Sequence, residues 1–312
     1  LRIAPGQLQA LTGIRERRWW EPGYPLSHGA IMAARKALLN SGIAASEIGA
    51  LLYTGVCREQ FEPATACRVA DGLGVSGDVA IFDLSNACLG VLNGMLDVAN
   101  RIELGQIRAG LVVSCESARE INEVMITKML EERNMQYFAN SLATLTGGSG
   151  AVAVLLTDGS FGKTNLHRLL GGTTKAEPRH HNLCLWGVGP DGKGGYQQSM
   201  ATDGVNVMNH GVELGKRTWK SFLPNVGWTA AMIDRVICHQ VGSAHQSMIL
   251  KTLGIPAEKD FTTYEFLGNM GTVSLPLTAA LAVERDVLLA GDKVAFLGIG
   301  SGLNCMMLGI EW

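Results

Sequence analysis

Short continuous apolar runs and longer segments of helical periodicity alternate along this chain, and the order is played through twice. A run such as IGALLYT (48–54) has no polar face. It belongs in a sheet covered on both sides, the kind in which helices join the strands. In the first pass, 28–42 read as a helix closed by Gly42, 48–54 as a strand, and 62–75 as a helix with Pro63 in its first turn. Strands at 79–84, 110–115 and 151–156 and a helix at 88–104 complete it. In the second pass, helices are expected at 205–222, 244–253 and 272–283, and strands at 235–239, 293–298 and 305–312. Cys88 stands before a helix that leads into GQIRAGLVVS, and Asn269 before one that leads into GDKVAFLGIG. LLYTGV and VICHQV each follow a helix and end in a polar loop. The expectation is an α/β protein of two pseudo-symmetric halves, 1–165 and 166–312, on mostly parallel sheets. Only 173–200 holds no period. Dense in Gly, Pro and His, it reads equally as a lid over a site and as a long connection.

Composition narrows the function classes. The chain has 312 residues, 47% of them hydrophobic and 17% charged, enough for a large core and too apolar for disorder. A formal net charge of −2 gives no general attraction to nucleic acid. The seven cysteines form no CxxC pair and no Cys/His cluster at zinc spacing, so they read as reduced thiols of a cytoplasmic protein with no metal site. No apolar run reaches membrane-spanning length and no signal peptide is present, although the sequence begins at Leu1 rather than Met and leaves a preceding segment open.

Three residues stand where chemistry gathers in such folds. Cys88, in DLSNACLGVLNG, lies between a strand and a helix, where the helix dipole would lower its pKa and make a nucleophilic thiolate. Taken alone, a free Cys is more often a buried structural residue. His239 ends the strand in ICHQVGSAH, at the edge where α/β sites assemble, and is equally a satisfied polar group. Asn269, in FLGNMGTVSLP, is by its neighbours a turn residue or a donor to an oxyanion. The loop GIGSGLN (298–304) lacks phosphate-loop spacing, and its glycines suit close approach of backbone N–H groups to a carbonyl.

Together NAC (86–88), HQ (239–240), GNMGTVSLP (268–276) and GDKVAFLGIGSGLN (291–304) resemble the ketoacyl synthase III branch of the thiolase superfamily, in order and in spacing. The resemblance spans nearly the whole chain. Within that branch the chain is similar to the OleA-type enzymes that join two fatty acyl-CoA molecules. It implies a thiolase-like fold, layered αβαβα, and Claisen condensation through an acyl-Cys88 intermediate. His239 and Asn269 would hold the enolate oxygen, and the N–H groups of Cys88 and Ser301 would form the oxyanion hole. Glu62, in REQFEPATA 26 positions before Cys88, matches the Glu-Pro of the OleA type, where the acid enters the partner subunit's site as base. By its own context Glu62 is a helix-end acid beside Pro63. The resemblance further implies a homodimer, fatty acyl-CoA or acyl carrier protein as partners, and no cofactor beyond CoA thioester substrates. Arg15, Arg17, Arg18 and Trp19, in GIRERRWW, are candidates for CoA binding and equally a solvated basic segment. Residues 124–130 with Val207 and Met208 would line acyl tunnels or fill the core. The family's first strand and following helix have no counterpart at the start of this sequence.

Other readings stand beside this one. They are a decarboxylating ketoacyl synthase III using malonyl-ACP, an acyltransferase to a non-carbon acceptor, and a non-catalytic partner subunit. Glu62 argues against the first, and the intact Cys88, His239 and Asn269 against the last.

Overall fold

A computed structural model describes residues 3–162, 167–191 and 194–312. The boundary expected at 165/166 lies outside the described residues. A short helix α1 (Gln7–Thr12) precedes α2 (Leu26–Ser41), which Gly42 closes in the left-handed conformation as expected. There follow β1 (Ala50–Tyr53), α3 (Thr65–Leu73), β2 (Ala80–Asp83), α4 (Gly90–Glu103), β3 (Ala109–Glu116), α5 (Arg119–Glu132), α6 (Met135–Leu145) and β4 (Gly150–Thr157). Next come β5 (Arg168–Ala176), β6 (Cys184–Pro190), β7 (Tyr196–Thr202), α7 (Gly204–Asn225), β8 (Arg235–Cys238), α8 (Ser243–Leu253), α9 (Tyr264–Leu267), α10 (Ser274–Glu284), β9 (Lys293–Gly300) and β10 (Asn304–Glu311).

One sheet has the order β2-β1-β3-β4 and the other β5-β10-β9-β8. Strand alternation sorts the β1 side chains onto two faces. Ala50 and Leu52 meet α4, α10 and the second sheet in one core; Leu51 and Tyr53 meet α2 and α3 in another. On the second sheet, Val294 and Phe296 face the shared core, while Ala295 and Leu297 face α7 and α8. The result is five layers: α2/α3, sheet, α4/α10, sheet, α7/α8. The continuous apolar runs in the sequence are the strands covered on both faces.

The halves correspond strand by strand. β1 runs parallel to β3, which pairs antiparallel with β4; β8 runs parallel to β9, which pairs antiparallel with β10. Even β2, parallel to β1, has a remnant in the second half, an isolated parallel bridge of Val236 to Asp260. The first sheet is mostly parallel, as expected, with only β3–β4 antiparallel; the second is mostly antiparallel, with only β8–β9 parallel. Residues 301–303 are too short a connection to join β9 to β10 any other way.

Several expected elements shift. The helix expected at 62–75 begins only at Thr65, because Asp83 accepts the N–H groups of Thr65 and Ala66 at 3.0 and 2.9 Å and so fixes its start. Pro63 and Glu62 stay in the preceding loop. Residues 173–200 are not patternless. They begin within β5, which pairs antiparallel with β10, and continue into the two-stranded ribbon β6–β7. β5 is invisible locally because its identity comes from β10, over 100 residues away. The α5–α6 pair is an addition to the expected elements, and within 124–130 Met125 and Met129 are buried core residues. Val207 and Met208 are half-buried on α7, and Val207 packs against the core beneath that helix.

Candidate active site

Cys88 sits on the turn between β2 and α4, and that turn is forced. Ala87 just before it has φ 46°, a left-handed conformation that residues with a Cβ rarely adopt and that clusters at functional turns. Gly90, opening α4, must be glycine, since a Cβ there would lie 2.3 Å from the Thr54 carbonyl oxygen. A chain of amides holds the turn from the side. Asn86 donates to Asn93 at 2.7 Å and accepts from Asn304 at 3.1 Å, and Asn304 also reaches the Ser301 carbonyl at 3.3 Å. The Ser301 turn is thereby tied to the Cys88 turn, and a Cβ on Gly300 would lie 3.3 Å from the Cys88 nitrogen. Asn86 and Asn304 lie inside motifs legible in the sequence, but their link across the two halves is not.

Asn269 occupies the equivalent turn of the second half. Its N–H donates to the Thr146 carbonyl and its carbonyl accepts from Gly148, both at 2.9 Å, so the 146–148 loop clamps it. Gly268 (φ 71°) permits this clamp, because a Cβ would lie 2.4 Å from the Thr146 oxygen. The Asn269 Oδ1 accepts the Gly271 N–H at 3.0 Å, which turns Nδ2 into the side chain's free donor. Thr272 accepts the Val91 N–H at 2.7 Å, joining the two turns at the start of α4. His239 follows β8, its N–H bound to the Leu297 carbonyl at 3.0 Å, and is 5% exposed with no hydrogen-bond partner for Nδ1. Gln240, beside it, accepts from Thr263 and Tyr264 and donates to Cys238, which locks the loop.

The electrostatics overturn one expectation. Loss of solvation pushes the Cys88 thiol up to about 12, with Cys184 and Glu116 adding to the shift, so the helix dipole does not make a resting thiolate. At the start of α4 the Leu89 and Gly90 N–H groups bond to Asn86 and Ala87, and that of Val91 to Thr272, so these three are already engaged. Desolvation, with nearby His245, lowers His239 to about 3. The pair is a neutral thiol and a neutral imidazole at physiological pH, one imidazole nitrogen donating and the other accepting. Cys184, on β6, is felt at the Cys88 thiol, so the ribbon reaches the site. Glu116, in SCESAR, joins the site although no motif singles it out. It is a buried acid whose charge is felt at Cys88 and whose Oε1 would lie 3.4 Å from a Cβ on Gly271. A carboxylate ending an apolar strand is its sequence signal.

The remaining candidates lie elsewhere. Glu62 is exposed and, among the described residues, makes no hydrogen bond or ion pair; its neighbour Phe61 is 94% exposed. The basic segment runs beside the Asn269 clamp. Trp19 donates to the Gly147 carbonyl at 2.9 Å, and Arg17 and Arg119 lie over its ring at 5.2 and 5.8 Å. Its faces are thus occupied by cations. Arg17 is half-buried with an unpartnered Nε, Arg18 is exposed near Glu16, and Arg15 pairs with Glu265 at 3.6 Å. No helix among the described residues is long and apolar enough to cross a membrane.

Five layers, two matching halves, a Cys and an Asn on equivalent turns tied through Thr272, and a His at the end of β8 define a thiolase-like condensing acyltransferase. Known proteins agree with that class. Residues 223–312 match the C-terminal domain of 3-oxoacyl-[acyl-carrier-protein] synthase III. An acyl-CoA:acyl-CoA alkyltransferase of Shewanella oneidensis is 61% identical over all of this chain and 90% of its own length. The crystal structure of a cysteine-to-serine form of Xanthomonas campestris OleA, with lauric acid and lauroyl-CoA bound, superposes with a TM-score of 0.92 at 34% identity, covering 99% of this chain and 89% of that one. The chain belongs to the acyl-CoA:acyl-CoA alkyltransferase family. Other solved forms of the Xanthomonas enzyme replace a glutamate or a histidine, and that glutamate precedes the replaced cysteine by 26 positions, the separation of Glu62 from Cys88.

Proposed function

We propose that the protein joins two fatty acyl-CoA molecules by a non-decarboxylative Claisen condensation, as a homodimer in which Glu62 of each subunit serves the neighbouring site. Cys88 adds to the first thioester and its proton passes to the departing CoA sulfur, giving acyl-Cys88 and free CoA. Because the thiol rests neutral, the proton moves as the sulfur adds, with neutral His239 within the site to relay it. Glu62 of the partner subunit then takes an α-proton from a second acyl-CoA, while N–H groups of His239 and Asn269 hold the enolate oxygen. The enolate carbon attacks the acyl-Cys88 carbonyl, whose oxygen faces the N–H groups of Cys88 and Ser301. Collapse releases Cys88, which recovers the proton from the base. The product is a β-ketoacyl-CoA carrying two acyl chains.

The observation that carries the dimer and the base together is the loop tip. A phenylalanine ring left 94% exposed beside an unpaired acid suits a segment buried by a second subunit. The outer edge of β2 carries no strand among the described residues, and pairing across that edge would join the sheets of two copies. Seven free cysteines support a cytoplasmic setting. Arg15, Arg17 and Arg18, beside the Asn269 clamp, suit the CoA phosphates.

The test supplies one long-chain acyl-CoA, with and without malonyl-CoA or malonyl-ACP, and weighs the products by mass spectrometry. A β-keto product, or the ketone left by its decarboxylation, bearing two acyl chains without a malonyl donor is expected. Product only with the donor would make this an ordinary ketoacyl synthase III, and acyl transfer without a new C–C bond an acyltransferase to another acceptor.

A further inference from the structure

Glu116 closes β3 and is 4% exposed. A carboxylate in such a place is costly unless its oxygens are occupied. They are: one accepts the Val56 N–H at 2.9 Å, the other the Cys57 N–H at 3.0 Å, and the Thr272 N–H faces it as well. Val56 and Cys57 begin the loop from β1 to α3 that exposes Glu62 at its tip. The far side of that loop is held by acids of its own. Glu59 accepts the Ser27 N–H at 2.7 Å and pairs with Arg68, and Asp83 accepts from Thr65 and Ala66. Glu116 differs from these two in reaching the centre. Its carboxylate lies against Gly271, two residues beyond Asn269, and its backbone carbonyl accepts the Trp20 indole N–H at 3.0 Å. It alone of the three acids meets both the Glu62 loop and the Asn269 turn.

We propose that Glu116 is a positioning residue for the condensation step, bracing the base of the loop that carries Glu62 toward the partner subunit's site against its own chain's Asn269 turn, through its paired acceptance of the Val56 and Cys57 N–H groups. The inference rests on the reading of Glu62 as base. Glu116 touches no reacting atom and acts on the second half of the reaction, after Cys88 is acylated. A glutamine there keeps the shape but offers one acceptor oxygen to two N–H donors and turns an NH2 toward one of them. An aspartate keeps both oxygens and the charge but is one methylene short.

The experiment uses the full chain and lauroyl-CoA. It reads Cys88 acylation by intact mass in the first turnover and two-chain product in the steady state. Glu116→Gln is expected to acylate within about threefold of the parent and to condense about 30-fold or more slowly, the loss falling on kcat. Combining it with Glu62→Gln is expected to cost little beyond Glu62→Gln alone, because both act through one group. Equal loss in both readouts, a wild-type rate of condensation, or a double variant whose losses multiply would each overturn the inference. If thermal melting shows that Glu116→Gln does not fold, the same cycle is run with Glu116→Asp, under the same criteria. Full condensation by Glu62→Gln would sink the base reading itself, whereas an inactive Glu62→Gln beside an active Glu116→Gln sinks only the role of Glu116.

Discussion

The turn that bears Cys88 and the loop that bears Glu62 are built on opposite principles. Cys88 is half-buried on a turn held within one chain: Ala87 has a left-handed conformation, Gly90 packs on the Thr54 carbonyl, and Asn304 and Thr272 reach across from the other half. Its environment is complete within one chain, down to the desolvation that keeps its thiol neutral. The Glu62 loop is pinned at its base by three acids, yet its tip stands in water. A group desolvated by its own fold has its protonation set there; an exposed one acquires a working environment only from something that covers it. On the proposed mechanism the first step needs one subunit and the second needs two.

Cys88→Ser should abolish the acyl-enzyme and lower product formation by about 10⁴-fold or more, measured by intact mass and product yield; retained turnover would remove the Cys88 turn from the chemistry. Glu62→Gln should leave acylation intact and slow condensation by about 10²–10³-fold. Equal loss in both steps would mean that the tip serves the fold and not the second step. Gly90→Ala forces a Cβ onto a backbone oxygen and should cost about 2–3 kcal/mol in denaturant melts, with Cys88 reactivity lost alongside. Phe61→Asp should weaken self-association seen by analytical ultracentrifugation and make condensation fall on dilution, by about tenfold, with acylation spared. The smallest effect sharpens the electrostatic half of the comparison. Because the Cys88 thiol is pushed up to about 12, its alkylation by iodoacetamide should keep rising about tenfold per pH unit through pH 10. An ordinary thiol, near 8.5, would level off above about pH 9. A plateau at that pH would place the thiol in a wetter site than this one.

Much of the fold and of the candidate site's placement is legible in the sequence. The helix closed by Gly42, the buried strands, the repeated order around Cys88 and Asn269, and the strand-end position of His239 all follow from local pattern, because period, caps and glycines act within a few residues. Glu116 is not legible, because an acid at the end of an apolar strand acquires meaning only when Val56 and Cys57 arrive from another segment. β5 is hidden for the same reason, its ladder being supplied by β10.

The sequence by itself determined the alternation of covered strands and helices and the turns that carry Cys88 and Asn269, since hydrophobic period and turn chemistry are local. The tertiary structure alone decided that the sheets are mixed, that helix α3 starts past Pro63, and that Cys88 rests as a neutral thiol. Each of those depends on groups distant in the chain: the antiparallel pairing of β5 with β10, the carboxylate of Asp83 beside Thr65, and the burial of the Cys88 thiol with Cys184 and Glu116 near it. Solvation and hydrogen-bond competition act through space, so no reading along the chain could weigh them.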